Sequence, residues 1–330
     1  MSLPTVLVAD FLEEDGVEAP ILRDVARVVL ARAHDESELR PHLAEADAIL
    51  LFHDIARLGE GSFALAPRCR CVVRAGVGYN NVDMEAARKH KVIVCNVPDY
   101  GTEEVADHAI MFLLAIARRL IPCNAAIRAG DWHFRAAHGT PRLRDKTLGI
   151  VGCGRIGTAT AWRARALGLD VVFFDPYVEE GRDKALGIRR VYDLGALLAQ
   201  SHFVSLHCYL DDGSYHLINA RTLDQMREGA YLINTARGPV VDQKALVDAL
   251  DGGHLAGAAL DVVEREPLDD ERVRFHPRII LTPHSAFYSV EGFIELRTKA
   301  TEEVRRILRG ETPRNRVDQG QVKGRAVTPR

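Results

Sequence analysis

No long apolar run occurs in this 330-residue sequence. The longest uninterrupted stretch, Ala109 to Ala117, covers nine residues, whereas a helix needs roughly 20 to cross a bilayer. Charge of one sign is not in excess either. The formal net charge is -3, which gives no electrostatic case for nucleic acid or an anionic membrane as partner. The chain reaches Asp10, Glu13 and Glu14 without a basic start or a long apolar stretch, so no secretory signal is expected and the expected compartment is the cytoplasm. Zinc-type pairing of cysteines is missing as well. Of Cys69, Cys71, Cys95, Cys123, Cys153 and Cys208, most sit in apolar, strand-like segments. Cys69 and Cys71 would share a strand face, but no second Cys/His pair stands at metal-ligand spacing. Buried free thiols in a reducing compartment are expected, and no metal site.

What is present is an ordinary globular balance, 47% hydrophobic and 27% charged, in a length that suggests two domains. Short apolar runs alternate with longer amphipathic segments. Thr5-Val8, Ile49-Phe52, Cys71-Arg74 and Val92-Cys95 read as strands, with helices over Ile21-Arg32 and Asp83-His90. A second series begins near residue 102 with a strongly apolar helix, Glu103-Leu120. Strands are expected at Thr147-Val151, Val171-Phe174, Phe203-Leu206, Tyr231-Asn234, Gly257-Leu260 and Ile279-Leu281, and a last long helix at Glu291-Arg309. Such alternation implies an α/β fold with parallel sheets, and runs with little polar alternation suit strands covered on both faces. The Arg-rich tail after Gly310 lacks apolar periodicity and is expected to be partly disordered.

Gly152-Cys153-Gly154-Arg155-Ile156-Gly157 follows one strand and opens a helical segment. The three glycines do different things. Gly152 permits a tight turn, Gly154 lets backbone approach a pyrophosphate, and Gly157 lets the helix lie close to the sheet. N–H groups at the helix start then bind phosphate. The next strand ends in Asp175, where a carboxylate would accept hydrogen bonds from the ribose hydroxyls and repel a 2′-phosphate. No basic residue follows at once, and NAD is favoured over NADP. The glycine motif alone is weak evidence; strand before, helix after and acid at the next strand end make it strong.

Three later segments lie just beyond apolar strands, where ligands bind in an open α/β sheet. They carry Arg237, Glu266 and His284. A 2-keto acid is flat and anionic; its carboxylate and carbonyl suit the planar fork of an arginine. Its carbonyl oxygen needs a proton, which an imidazole exchanges near neutral pH. A carboxylate beside that imidazole holds the ring and favours its charged form. Arg237 is therefore expected to clamp substrate, His284 to act as general acid/base, and Glu266 to orient it. Singly, each is more readily a surface or turn residue; at three successive strand ends they form a constellation.

The fingerprint, Asp175, Thr235-Ala236-Arg237-Gly238, the Asp261 to Glu266-Pro267 segment and Pro283-His284-Ser285-Ala286 together resemble the D-isomer-specific 2-hydroxyacid dehydrogenase family. The match runs from about Cys71 to Glu303. Tyr100 to His108 is most similar to the branch related to the C-terminal-binding-protein dehydrogenases. The resemblance implies two Rossmann-like lobes with a cleft between them, residues 1-101 plus 290-330 binding substrate and 102-289 binding NAD, with hinge-like closure. It implies that backbone around Val77 and Gly78 holds the substrate carboxylate. It also implies cofactor contacts from Gly152, Gly154, Arg155, Ile156, Gly157, Asp175, Pro176, His207, Cys208, Thr235, Ala236, Asp261 and Ala286, with Asp261 facing the nicotinamide amide.

Departures carry information too. Tyr209 follows His207-Cys208 where many relatives have Pro, and Phe287 stands where the corepressor branch has Trp. Glu266 argues against formate, whose dehydrogenases use Gln there. By the resemblance, the apolar helix and a following arm, Pro122 to Leu143, build a two-fold homodimer; the alternative is a buried core helix in a monomer. The expected activity is NAD-dependent interconversion of a small D-2-hydroxy acid and its 2-keto acid. Two alternatives are an NAD(H)-sensing dimeric binding protein of corepressor type and a dehydrogenase of another small anion. Phe52, His53, Tyr100 and Phe287 are candidates for the substrate pocket.

Overall fold

A computed structural model describes residues 3–319. The chain forms two compact units. Of the described residues, one unit holds 3–101 together with 288–319, and the other holds Thr102–Phe287.

The first unit holds a five-stranded parallel sheet. Its strands are β1 (Thr5–Val8), β2 (Arg27–Leu30), β3 (Ala48–Leu51), β4 (Cys71–Arg74) and β5 (Ile93–Asn96), in the order β2-β1-β3-β4-β5. β1, β3 and β4 are buried along their whole length, as expected of parallel strands covered on both faces. The helix Val290–Leu308 belongs to this unit and buries Leu296, Ala300, Val304 and Ile307.

One expectation fails in this unit, and a second is narrowed. Residues 21–32 are not one helix: a short helix, Glu18–Leu22, is closed by a turn in which Val25 and Ala26 donate to the Leu22 carbonyl. Arg27–Leu30 then pairs in register with Thr5–Val8 as an edge strand. Ile21, Leu22, Val25, Val28 and Val29 mimic helical spacing, but the β-branched run finds a neighbouring strand to pair with. The segment 311–319 is ordered rather than loose. Val317 N–H donates to the Val94 carbonyl, Asn96 N–H to the Asn315 carbonyl, and Glu303 accepts from Arg314 N–H. Residues 320–330, where the rest of that expectation falls, lie outside the described residues.

The second unit holds a seven-stranded parallel sheet: β6 (Thr147–Val151), β7 (Asp170–Phe174), β8 (Arg189–Arg190), β9 (Phe203–Leu206), β10 (Tyr231–Asn234), β11 (Gly257–Leu260) and β12 (Ile279–Leu281). Its order is β12-β11-β10-β9-β6-β7-β8. The winding reverses between β6 and β9, and that switch point is where doubly wound sheets bind ligands beyond their C-terminal strand ends.

The apolar helix ends at Ala117 instead of Leu120, and a second helix, Leu120–Arg128, follows. Pro122 explains the break: in a continuous helix its ring would strike the carbonyl of residue 118. The chain resets at Arg119, in the left-handed region at φ 53°, so that Pro122 falls in the first turn of the new helix. Phe112, Leu113 and Ala117 pack with Ala161 and Ala164 of the helix Arg155–Ala166 in the unit's core. Among the described residues no single helix is long and apolar enough to cross a membrane.

Candidate active site

His284 is the point around which three loops assemble. It follows β12 in the left-handed region at φ 51°, a conformation that costs a non-glycine residue energy unless its neighbours enforce it. Asp261, at the end of β11 and 3% exposed, enforces it. Its backbone carbonyl accepts His284 N–H at 2.8 Å. Its carboxylate accepts the Thr282 hydroxyl at 2.5 Å, Ser285 N–H at 2.9 Å and Ala286 N–H at 3.0 Å. The turn from Thr282 to Ala286 is thus wrapped around one buried carboxylate. Behind Thr282 stands His108, its Nε2 2.9 Å from the hydroxyl. Because Thr282 donates to Asp261, His108 donates to Thr282. Burial pulls the His108 pKa down against the opposing charge of Asp261, which suits a neutral ring in that chain.

Held this way, His284 turns Nδ1 to Glu266 Oε2 at 2.7 Å. With Nδ1–H donated to a carboxylate, proton exchange with a ligand falls to Nε2. Burial raises the Glu266 pKa, but the hydrogen bond and charge of His284, the N–H of Val263 and the charge of Arg237 outweigh it, and the net shift is downward. Glu266 therefore remains a carboxylate near neutral pH. The pair stays accessible: the side chains of His284 and Glu266 are 27% and 38% exposed. Arg237 follows β10 on a turn folded by buried Asn234, whose side chain accepts Ala236 N–H and donates to the Arg237 carbonyl. Its charge bears on Glu266, so the structure brings all three residues into one neighbourhood.

The glycine turn lies at the end of β6. Gly152 has φ 91°, which favours glycine. A Cβ on Gly157 would stand 2.0 Å from the Gly152 carbonyl oxygen, whereas one on Gly154 would meet nothing within 4 Å. The turn is closed where the helix packs and open where a ligand would approach. Asp175, at the end of β7, accepts Cys153 N–H at 2.8 Å and Tyr177 N–H at 2.9 Å. It therefore braces the glycine turn in addition to any ligand it meets.

Comparison with known proteins identifies the family. Residues 110–286 match the family model described as "D-isomer specific 2-hydroxyacid dehydrogenase, NAD binding domain". The chain belongs to that family. It is 36% identical over 320 residues to C-terminal-binding protein 1 of Caenorhabditis elegans, covering 91% of this chain and 42% of that protein. It is 33% identical to D-3-phosphoglycerate dehydrogenase of Synechocystis, covering 96% and 56%. The chain thus spans about half the length of these curated relatives. A solved D-lactate dehydrogenase from Aquifex aeolicus, complexed with NAD and lactic acid, superposes with a TM-score of 0.84 at 28% identity, covering 98% and 99%.

The matched stretch is the family's NAD-binding domain, and NAD is the cofactor of this chain. The residues present fit it. His207 Nδ1 and Thr235 Oγ1 are buried polar atoms without a hydrogen-bond partner among the described residues. They stand just beyond β9 and β10, on the side where a dinucleotide lies, and a buried polar atom left so calls for a ligand or water. Burial drives the His207 pKa down to about 3, so it meets a ligand as a neutral ring. Burial likewise pushes the Cys208 thiol up to about 12, which leaves it no nucleophilic role. Pro176 follows Asp175, Ala236 lies on the Asn234 turn, and Arg155 and Ile156 open the helix Arg155–Ala166.

In the first unit, Val77 and Gly78 lie on the loop after β4, and the Val77 carbonyl accepts from Asn96 Nδ2 at 2.7 Å. A Cβ on Gly76 would fall 1.4 Å from Arg74 Nη1. Phe52 and Tyr100, expected as pocket candidates, are 1% and 7% exposed and serve packing. His53 and Phe287 are partly exposed. Asn234, Thr282 and His108 brace the site without standing out from the sequence patterns. An asparagine ending a buried strand is a recognisable turn former; the other two carry no local signal.

Proposed function

We propose that the protein is an NAD-dependent oxidoreductase that interconverts a small D-2-hydroxy acid and its 2-keto acid. The observation that carries this reading is the 2.7 Å bond from His284 Nδ1 to Glu266, with Arg237 on a segment packed backbone to backbone against the one that carries Glu266. When bound, NAD supplies the two-electron acceptor or donor for the 2-carbon. Gly152, Gly154, Gly157 and the N–H groups of Arg155 and Ile156 hold its pyrophosphate, and Asp175 selects a ribose without a 2′-phosphate. Pro176, His207, Cys208, Thr235, Ala236, Asp261 and Ala286 line the remainder.

Arg237 takes the substrate carboxylate and polarises the 2-oxygen with a planar pair of donors. Nε2 of His284 gives a proton to the 2-oxygen in reduction and removes it in oxidation. Glu266 fixes the ring. Reduction of the keto acid consumes a proton and oxidation of the hydroxy acid releases one, so reduction fades toward alkaline pH and oxidation toward acid. The test is NADH oxidation across glyoxylate, hydroxypyruvate, phosphohydroxypyruvate, pyruvate and branched 2-keto acids. Turnover of at least one, with opposite pH limbs in the two directions, is expected; no turnover on any would overturn the reading.

We further infer a homodimer in a reducing compartment. All six cysteines are free, and the segment after Ala117 exposes Leu120, Ile121, Ile127, Trp132 and Phe134, with Trp132 at 87%. Five large apolar side chains exposed within fifteen residues of chain suit an interface. Ile121→Glu with Trp132→Ser should halve the mass in light scattering; an unchanged mass argues against this face. The likeness to C-terminal-binding protein 1 favours a second reading, an NAD(H)-responsive binding protein. Slow turnover on every acid, joined to partner binding that changes with NADH, would favour it over the first.

A further inference from the structure

Two residues before Glu266, on the same loop, a second histidine–glutamate pair is formed. His216 Nε2 lies 2.7 Å from Glu264 Oε1, and its Nδ1 lies 4.0 Å from Asp242 Oδ2. The ring is stacked on Tyr215, centroids 4.1 Å apart and planes 15° apart. His216 is itself in the left-handed region, at φ 47°, so the surrounding contacts hold it against its own preference. Nothing in the function proposed above uses this pair.

Its surroundings show what it touches. His216 N–H donates to the Pro239 carbonyl at 2.8 Å, and Ile218 N–H to the Val240 carbonyl at 3.0 Å. One end of His216 is therefore fastened to the segment that carries Arg237. The ring end is fastened to Glu264, on the segment that carries Glu266. The second oxygen of Glu264 accepts Gln243 N–H at 3.2 Å, and Glu264 N–H donates to Gln243 Oε1 at 3.3 Å. Between these ties the two segments meet backbone to backbone: a Cβ on Gly238 would stand 1.7 Å from the Val263 carbonyl oxygen. A close approach between two loops keeps its register only if something clamps both of them, and His216 with Glu264 spans them.

We propose that His216 and Glu264 form a positioning pair that sets the spacing between the Arg237 guanidinium and the Glu266–His284 pair. The inference rests on the catalytic reading of those three residues. The pair meets neither substrate nor cofactor. It acts by holding the clamp at the distance from the acid/base that a short keto acid requires, and displacement of a catalytic group by about 1 Å can cost a hundredfold in rate.

The experiment is steady-state reduction of glyoxylate, pyruvate and hydroxypyruvate with NADH by the whole protein, for the parent, His216→Ala, His216→Gln and Arg237→Ala. NADH affinity is followed separately by nucleotide fluorescence. His216→Ala should raise KM for the best keto acid about tenfold and lower kcat severalfold, with the NADH Kd unchanged. His216→Gln, which keeps a donor for Glu264, should bring KM back to within about twofold of the parent. A merely structural loss would remove active molecules and lower kcat at constant KM. Constant KM in His216→Ala, beside a crippled Arg237→Ala, overturns the positioning pair alone. Undiminished turnover by Arg237→Ala overturns the catalytic reading and the pair's role with it.

Discussion

Each of the two units has an almost wholly buried aspartate just beyond a strand, with a neighbouring strand's loop folded around it. In the first unit Asp10, beyond β1, accepts N–H groups from Phe52, Asp54 and Ile55, which follow β3. In the second, Asp261 gathers the Thr282 to Ala286 turn after β12. Both are almost wholly buried, at 0% and 3% exposure. The difference lies in the donors. Among the described residues Asp10 is met by backbone N–H alone, and its carboxyl is pushed up to about 6, first by burial and further by Asp54, against hydrogen bonds from Phe52 and Ile55 and the charge of Arg74. Asp261 adds a hydroxyl at 2.5 Å, itself backed by His108. The same device is tighter where it holds His284 in a strained conformation.

Substitution at either aspartate puts this difference at risk. Asp261→Asn should have the largest effect. Its amide would turn a donor toward a hydroxyl or N–H that must donate, at a cost of about 2 kcal/mol. The melting temperature should fall by roughly 4–8 °C for a unit of this size, and keto-acid turnover by about a hundredfold as His284 relaxes. Thr282→Val removes one charge-assisted hydrogen bond and the acceptor for His108, and should cost about 1–2 kcal/mol in denaturant unfolding. An unaltered midpoint in Thr282→Val would show that backbone donors alone suffice.

Asp10 should give the smallest effect, and what sets it apart is a pH dependence. Its folded pKa of about 6 lies above the ordinary aspartate value of 3.8, so the folded state takes up a proton before the unfolded one does. The parent should therefore gain stability relative to Asp10→Asn as pH falls through 6, with the gain complete near 4. Between pH 7 and pH 5 the difference should grow by about 1 kcal/mol. A constant difference across that range would place the Asp10 carboxyl in water.

Much of this architecture is legible in the chain. Thr147–Val151, Phe203–Leu206, Tyr231–Asn234, Gly257–Leu260 and Ile279–Leu281 are strands with the bounds their apolar runs imply. A buried parallel strand is an apolar run with polar residues at its end, and the site residues are those end residues. Edge strands are less visible. Arg27–Leu30 is partly exposed, and its spacing matches a helix as well as a strand until β1 is there to pair with it. A continuous apolar stripe conceals the helix break at Arg119, although Pro122 marks it. The bracing of the site is not legible. Thr282, Asp261 and His108 are far apart in sequence, and so are His216 and Glu264; only the folded sheet brings their side chains together.

The proposed chemistry turns on a proton exchanged at Nε2 of His284. Measuring kcat/KM for keto-acid reduction by His284→Ala, with NADH affinity followed in parallel, addresses that exchange without an intermediary. A loss of about a thousandfold with NADH binding unchanged is expected. Turnover within tenfold of the parent, at the same NADH affinity, would show that the proton comes from elsewhere.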